Sequence, residues 1–255
     1  MRQAERQSLL ATATIADMHA ETIQLTTADG PMALYQATPD GEARGAVVVI
    51  QEAFGVNDHI EDVTRRFAAE GYLGVAPHLF HRTGDPRFGY DDYPKVMEHM
   101  AALGDPQILT DVGAAVAHLD DLGFEASRIG VVGFCMGGRA TFLVATHLDI
   151  GAAVSFYPGA IVTPRSATMP ALIDRIEQLT APWLGLFGDE DKSIPVEDVE
   201  RLRSEMTERS PVPWEIVRYP GAEHGFHCDA RASYSPAAAA DGWQRTLAWL
   251  GSYLH

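Results

Sequence analysis

The sequence predicts a single α/β domain built on a doubly wound, mostly parallel sheet flanked by helices. Short, continuous runs of apolar and β-branched residues alternate with longer amphipathic stretches along the chain. Such runs are typical of strands that helices cover on both faces, and their alternation with helices favours parallel crossover connections. The length of 255 residues suits one large core, and no break in composition indicates a second domain.

The predicted elements follow in chain order. An N-terminal extension covers residues 1–20, and the α/β domain covers 21–255. Segment 21–37 predicts an antiparallel hairpin that turns at Asp29-Gly30, a pair that favours tight turns. Buried apolar runs predict six further strands, over 46–50, 72–76, 129–133, 152–157, 183–187 and 214–219. Amphipathic spacing predicts five helices, over 58–70, 109–122, 139–148, 196–209 and 236–250.

Two long irregular loops are candidates for the walls of a binding pocket. They cover residues 81–93 and 158–170, and both are rich in Pro, Gly and polar residues. Each follows a predicted strand, so each leaves the carboxyl edge of the sheet, where open α/β folds bind their ligands.

Charge and cysteine content exclude several classes of function. The chain has 19 Lys and Arg against 35 Asp and Glu, a net charge of −16, which argues against binding to nucleic acid or anionic membranes. The first residues lack the continuous apolar region of a secretory signal, and no run approaches the roughly 18 apolar residues of a membrane span. We therefore expect a cytoplasmic protein, in which Cys135 and Cys228 are not joined by a disulfide.

The most informative motif is Gly133-Phe134-Cys135-Met136-Gly137, which lies between a predicted strand and a predicted helix. In α/β-hydrolases a sharp turn at this place holds the nucleophile at its apex, and small residues on both sides allow the backbone to bend. The residue at the apex is a cysteine, which predicts nucleophilic acyl chemistry through a thiolate.

Candidates for the orienting acid follow the strand predicted over 183–187. Asp191 lies just beyond the strand end, where a carboxylate can hold a histidine in place. Asp189 and Glu190 are competitors. Acidic residues are also common in solvated loops at the start of a helix.

The candidate general base is His224, which follows the strand predicted over 214–219 and stands near Gly221 and Gly225. It completes the chain order nucleophile, acid, base that α/β-hydrolases use. His227 is the alternative histidine.

The segment after the strand over 46–50 supplies candidates for stabilising an oxyanion. We expect the backbone N–H groups of Ala53 and Met136 to be the two donors, because preorganised amides stabilise a developing negative charge. Glu52 would then stand beside the thiol. The alternative for this residue is a structural carboxylate whose hydrogen bonds are satisfied.

Together these motifs resemble the dienelactone hydrolase (carboxymethylenebutenolidase-like) family of α/β-hydrolases. The matching segments are QEAFGVN (51–57), APHLFHR (76–82), GFCMGG (133–138), GDEDKSIP (188–195) and AEHGFHCDARASY (222–234). The resemblance implies a catalytic triad of Cys135, His224 and Asp191. It also implies that Glu52 contacts the resting thiol and helps to generate the thiolate when substrate enters.

The resemblance further implies that Arg82 contacts a carboxylate of the substrate. A guanidinium suits a planar carboxylate, although a weak surface ion pair is the alternative. Dienelactone hydrolases carry a second arginine four residues after the catalytic histidine, and Cys228 occupies that position here. Arg231, three residues further on, is a candidate substitute.

These expectations describe a hydrolase that cleaves a small lactone or carboxylic ester through an acyl-thioester. The substrate is a small molecule, with an anionic one as an option, and no cofactor is needed. No metal is expected, because the His78/His81 pair lacks further ligands at suitable spacing. The alternatives are a noncatalytic thiol-sensing or ligand-binding protein, or a thioesterase or general carboxylesterase. The sequence does not fix the oligomeric state.

Overall fold

A computed structural model describes residues 18–255, apart from the side chain of residue 93. The strands are β1 (Ala20–Thr27), β2 (Gly30–Ala37), β3 (Ala46–Ile50), β4 (Leu73–Pro77), β5 (Ile129–Phe134), β6 (Ala152–Phe156), β7 (Trp183–Gly188) and β8 (Trp214–Tyr219). The helices are α1 (Asp58–Ala69), α2 (Tyr93–Ala101), α3 (Asp105–Asp121), α4 (Met136–Ala145), α5 (Val196–Arg209) and α6 (Pro236–Tyr253). Short 3₁₀ turns lie at His81–Thr83, Ala126–Arg128 and Ile173–Gln178. The predicted extension over 1–20 falls almost entirely outside the described residues and stays a prediction.

The strands form one eight-stranded sheet in the order β1-β2-β4-β3-β5-β6-β7-β8. The hairpin β1–β2 is antiparallel and pairs antiparallel with β4, whereas all pairs from β4 to β8 are parallel. The predicted fold class, a single domain on a mostly parallel sheet, is confirmed. No helix within residues 18–255 combines the length and the apolar character needed to cross a bilayer.

Helices cover both faces of the sheet. On one face α1 and α6 pack together, with the rings of Phe67 and Trp243 4.7 Å apart. On the other face α3 contacts α4, and every residue of α4 is buried. The strands between these layers are continuously apolar, as in the fully buried β3 sequence AVVVI. The carboxyl ends of β3, β5, β7 and β8 therefore open on one edge of the sheet, where the loops that carry the candidate residues begin.

The predicted boundaries of the six parallel strands agree with the structure to within one residue. The helices over 58–70 and 196–209 agree equally well, whereas α6 ends three residues beyond its prediction and α3 begins four residues earlier than predicted. Pro106 lies in the first turn of α3, where its missing N–H costs no hydrogen bond. Helix α2 was not predicted, because it starts within a segment whose composition indicates an irregular loop.

Candidate functional site

Cys135 stands at a strained turn between β5 and α4. Its backbone has φ 56° and ψ −114°, a conformation with positive φ that non-glycine residues rarely adopt. Its amide donates to the carbonyl of Phe156 at 3.0 Å. A Cβ on Gly133 would overlap the carbonyl of Gly137 and the hydroxyl of Thr141. The glycines thus allow β5 and α4 to approach closely enough to lift the cysteine to the sheet edge.

His224 lies between Cys135 and Asp191. Its Nδ1 is 2.6 Å from Asp191 Oδ2, and its imidazole lies close enough to Cys135 for the two side chains to interact electrostatically. Because Nδ1 faces the carboxylate, Nε2 is the nitrogen left for the sulfur. Ser193 fixes the other carboxylate oxygen, to which its N–H and hydroxyl donate at 2.8 and 2.7 Å. Its hydroxyl is also 3.2 Å from His224 Nδ1.

The electrostatics of this row favour a charged imidazole. Burial lowers the pKa of His224, but the charge of an ionised Cys135 and the hydrogen bond with Asp191 outweigh it and raise that pKa to about 10. Burial raises the pKa of Asp191, but the hydrogen bonds from His224 and Ser193 outweigh this and lower it below its usual value. The arrangement can accept a proton from the thiol and hold it.

The competing residues have other partners. Asp189 accepts from Arg218 Nε at 2.7 Å, outside the row described above. Glu190 lines the cavity beside Asp191 but forms no hydrogen bond to the histidine in the described part of the chain. His227 is buried against the rings of Phe134 and Phe156, and burial holds its pKa well below the ordinary value. Of the candidates considered, only Asp191 and His224 form a hydrogen-bonded pair facing the thiol.

Cys135 and His224 open into a cavity of about 470 Å³. The loop over 81–93 contributes Tyr90 to its wall, and the loop over 158–170 contributes Ala160, Arg165 and Met169. The prediction that these two loops form pocket walls is confirmed. A cavity of this size fits a small molecule of the size that enzymes commonly bind.

Ala53 and Met136 both line the cavity together with Cys135. Ala53 belongs to the turn after β3, and Gln51 ties that turn to the end of β4 by accepting from Leu79 N at 3.1 Å. Met136 is the first residue of α4, where a backbone N–H has no partner within the helix. Their part in binding an oxyanion stays a prediction.

Glu52 is fully buried and interacts with Arg231. Its Oε1 is 3.3 Å from Arg231 Nη1, and its Oε2 has no hydrogen-bond partner among the described residues. Neither oxygen of Glu52 is hydrogen-bonded to the thiol among the described residues, and its expected contact with the resting thiol stays a prediction. The guanidinium of Arg231 also packs over the rings of Tyr90 and Phe54, 5.3 and 5.8 Å from their centroids.

The structure does not bring Arg82 to the cavity. Its two terminal nitrogens donate to Asp111 at 2.7 and 2.8 Å, and its Nε donates to Asp29 at 2.7 Å. Asp111 is fully buried on α3 and captures the guanidinium as a bidentate partner. Arg231, by contrast, lines the cavity. This differs from the expectation that Arg82 contacts the substrate.

Sequence reasoning missed two residues of the site. Ser193 was not singled out, although a serine two residues after an aspartate is typical of a turn closed by the aspartate side chain. Tyr157 has φ 38° and places its ring against His224, with centroids 5.0 Å apart. No local pattern indicated the role of Tyr157, because its contact with His224 joins two distant loops.

Comparison with known proteins agrees with this architecture. Residues 32–254 match the profile of the dienelactone hydrolase family. The chain is 42% identical over 228 residues to a Salmonella typhimurium protein named "Putative carboxymethylenebutenolidase", covering 87% of this chain and 83% of that protein.

Solved structures show the same fold. A crystal structure from Klebsiella pneumoniae, described as a "Putative Dienelactone Hydrolase", superposes with a TM-score of 0.86 at 39% identity, covering 92% of this chain and 99% of that one. An esterase of Pyrococcus furiosus shares the fold with a TM-score of 0.70 at 17% identity, covering 94% of this chain and 92% of that one. The α/β-hydrolase fold is thus established for this chain, and the chain belongs to the dienelactone hydrolase family.

Proposed function

We propose that this protein hydrolyses a small lactone or carboxylic ester, with Cys135 as the nucleophile. The observation that carries the proposal is the row of Asp191, His224 and Cys135 in the wall of one cavity, in which Asp191 is hydrogen-bonded to His224 and His224 interacts electrostatically with Cys135. Nucleophile, base and orienting acid are the groups that acyl transfer requires, and each comes from a separate loop at the same sheet edge. The row needs no cofactor.

In the first half of the reaction His224 takes the thiol proton, and the sulfur of Cys135 attacks the carbonyl carbon of the substrate. The carbonyl oxygen becomes an oxyanion, which the N–H groups of Ala53, in the turn after β3, and of Met136, at the start of α4, would stabilise. The C–O bond then breaks, and His224 returns its proton to the leaving oxygen. The product of this half is an acyl-thioester on Cys135.

In the second half water attacks the thioester. His224 accepts a proton from the water, a second oxyanion forms in the same place, and the C–S bond breaks. The thiolate of Cys135 regains a proton from His224, and the carboxylic acid leaves. For a lactone the released alcohol and the acid belong to one molecule, so one water is added and nothing else is lost.

We also propose that Arg231 binds a carboxylate on the substrate. Arg231 is the guanidinium that both lines the cavity and contacts buried Glu52. A substrate carboxylate would compete with Glu52 for this cation, and a released Glu52 would be a base close to the thiol. Binding of an anionic substrate would thus be linked to activation of Cys135.

The first test uses Cys135→Ala. Turnover of an activated aryl ester should fall to background, by on the order of 10⁶-fold as in other enzymes that lose their nucleophile, while circular dichroism stays unchanged. In the wild-type protein, rapid-quench mass spectrometry should detect an acyl adduct on the peptide that contains Cys135, which forms and decays at the rate of turnover. Near-normal turnover by the variant, or stable oxidation of Cys135 with no acyl adduct, would reject the hydrolase in favour of a thiol sensor.

The second test compares Arg231→Gln with Arg82→Gln on a matched pair of esters, one neutral and one carrying a carboxylate. Loss of a charged hydrogen bond is worth about 1.5–3 kcal/mol, so Arg231→Gln should lower kcat/KM for the anionic ester about 10- to 100-fold more than for the neutral ester. Arg82→Gln should affect both esters equally, since its carboxylate partners are Asp29 and Asp111. If Arg82→Gln removed the preference for the anionic ester and Arg231→Gln kept it, the carboxylate-binding residue would be Arg82.

A further inference from the structure

Three side chains that could ligate a metal ion lie close together outside the row of Asp191, His224 and Cys135. One ligand atom from each of His59, Cys228 and Asp229 lies within 4.8 Å of the others. His59 comes from the first turn of α1, whereas Cys228 and Asp229 follow the loop that carries His224. The three residues are far apart in sequence, so no spacing motif indicated them.

The polar ring nitrogens of His59 take part in no hydrogen bond, with the residues that the structure describes, that would explain a histidine at this buried position. Its side chain is buried, with 6% of the residue exposed, and neither ring nitrogen has a hydrogen-bond partner among the described residues. A buried imidazole with two unused nitrogens is costly, because it loses its hydrogen bonds to water and gains none in return. A ligand that accepted a lone pair of His59 would remove this cost.

The donor set has the chemistry of a zinc-class site. A thiolate, an imidazole and a carboxylate are ligands that Zn²⁺ takes in tetrahedral coordination, and a water molecule can fill the fourth position. We propose that His59, Cys228 and Asp229 bind one divalent transition-metal ion of this class, at a place separate from the thiol of Cys135. Metal–ligand bonds of about 2.0–2.3 Å require the three atoms to lie closer together than 4.8 Å, so binding would draw the side chains toward one another.

The surrounding charges favour a cation. The charged groups that act on His59 are the carboxylates of Glu52, Asp62 and Asp229 and the guanidinium of Arg66. Arg231 pairs with Glu52, so the three carboxylates face two guanidinium groups, and an excess of one negative charge remains near the site. The side chain of Asp229 is 60% exposed, which gives an ion a route from solvent.

The neighbours of Cys228 fit both the free and the metal-bound state. In the free protein the thiol donates to the hydroxyl of Tyr90 at 3.0 Å, and Asn57 donates to the same hydroxyl at 3.3 Å. When an ion binds, Cys228 releases its proton to solvent and the sulfur supplies the electron pair of the new bond. Tyr90 can then turn its own proton toward the thiolate, as an outer hydrogen bond that supports the ligand.

The test uses Co²⁺ with the Cys135→Ala protein, so that the catalytic thiol cannot be the ligand. Titration should give one Co²⁺ per chain, with visible bands of tetrahedral cobalt and a thiolate-to-cobalt absorption in the near ultraviolet, and Zn²⁺ should displace the cobalt. In the same background Cys228→Ser should remove the thiolate absorption. His59→Ala should weaken binding by at least about tenfold, the lower end of what loss of an outer partner costs. The matched control His147→Ala should bind as the parent does.

Two results would overturn the site. One is Co²⁺ binding by the Cys135→Ala/Cys228→Ser protein, which has no thiol left, with the same affinity as the Cys135→Ala protein. The other is absence of Co²⁺ binding by the Cys135→Ala protein at concentrations that load the wild type, which would assign the ion to Cys135 and His224. A thermal scan guards against misfolding, because Zn²⁺ should raise the Tm of the Cys135→Ala protein and should not raise that of the Cys135→Ala/Cys228→Ser protein.

Discussion

At the scale of single residues, the protonation state of His224 depends on two partners, Cys135 and Asp191. Burial alone would keep the imidazole neutral, and the pKa of about 10 arises because Cys135 and Asp191 each supply negative charge to one ring nitrogen. Asp191 also sets which nitrogen carries the proton in the neutral form, since its Oδ2 lies 2.6 Å from Nδ1. The carboxylate therefore orients the base as well as stabilising its charge.

Asp191→Asn is expected to lower kcat by on the order of 10⁴-fold, because an amide cannot hold the imidazole in the same tautomer and cannot stabilise its charge. The pKa of His224, followed by the NMR signal of its ring, should fall in the variant, since the bond with Asp191 is one of the causes that raise it. The matched control is Asp189→Asn, which removes a carboxylate two residues away that pairs with Arg218. Equal losses of activity in both variants would contradict the proposed role of Asp191.

The sequence limited the candidates for the orienting acid to three neighbouring residues but did not decide between them. Asp189, Glu190 and Asp191 have the same chemistry and adjacent positions, and only the turn closed by Ser193 aims one of them at His224. The position of Arg82 away from the cavity could not be predicted for a related reason. Its partner Asp111 is 29 residues away on α3, and no local pattern reveals that a buried carboxylate will capture the guanidinium.

At the scale of elements, the turn at Cys135 depends on close packing between β5 and α4. Gly133 leaves no room for a side chain beside Gly137 and Thr141, and Gly137 in turn leaves none beside the carbonyls of Ile50 and Gln51. The nucleophile, the strand that precedes it and the loop that carries Glu52 are thus fixed to each other through backbone contacts. Small residues in this motif serve the packing of three elements as well as the turn itself.

Gly133→Ala should therefore destabilise the protein by about 3 kcal/mol, the upper end of what overpacking usually costs. The loss should appear as a lower midpoint in urea unfolding. Gly113→Ala is the control, because Gly113 lies within α3 and a Cβ there would meet no atom within 4 Å. That change should raise stability by up to about 1 kcal/mol, since alanine is the better helix former. A Gly133→Ala protein as stable as the wild type would show that β5 and α4 can separate at no cost.

The strands β3 to β7 were predictable because each is a short, mainly apolar run, and burial on two faces leaves little freedom in where such a run ends. Helix α2 was not predictable in the same way. It follows a loop rich in Pro, Gly and Asp, and its 9 residues are too few for the helical period to stand out in the sequence. The start of α4 was predicted three residues too late, because Met136 and the glycines that follow it have low helix propensity and are held in the helix by packing.

At the scale of the whole molecule, the net charge of −16 opposes the approach of an anionic substrate. The cavity wall has both basic and acidic residues, namely Arg139, Arg165, Lys192 and Arg231, and Glu190, Asp191 and Glu223. Repulsion by the net charge and attraction by the basic residues of the cavity act over different distances. The field of the whole protein reaches several tens of ångströms at low salt, whereas contact with Arg231, whose side chain is 21% exposed, occurs within a site that salt screens less.

Added salt should consequently raise kcat/KM for a carboxylate-bearing ester relative to its neutral analogue. The Debye length falls from about 30 Å at 0.01 M to about 10 Å at 0.1 M, so the long-range repulsion weakens first while the contact with Arg231 largely persists. Steady-state kinetics on the two esters across this range measure the ratio, and the neutral ester controls for effects of salt on the fold. If the ratio fell instead, attraction by the basic residues at the cavity would outweigh the charge of the molecule as a whole. In that case Arg231→Gln should flatten the salt dependence.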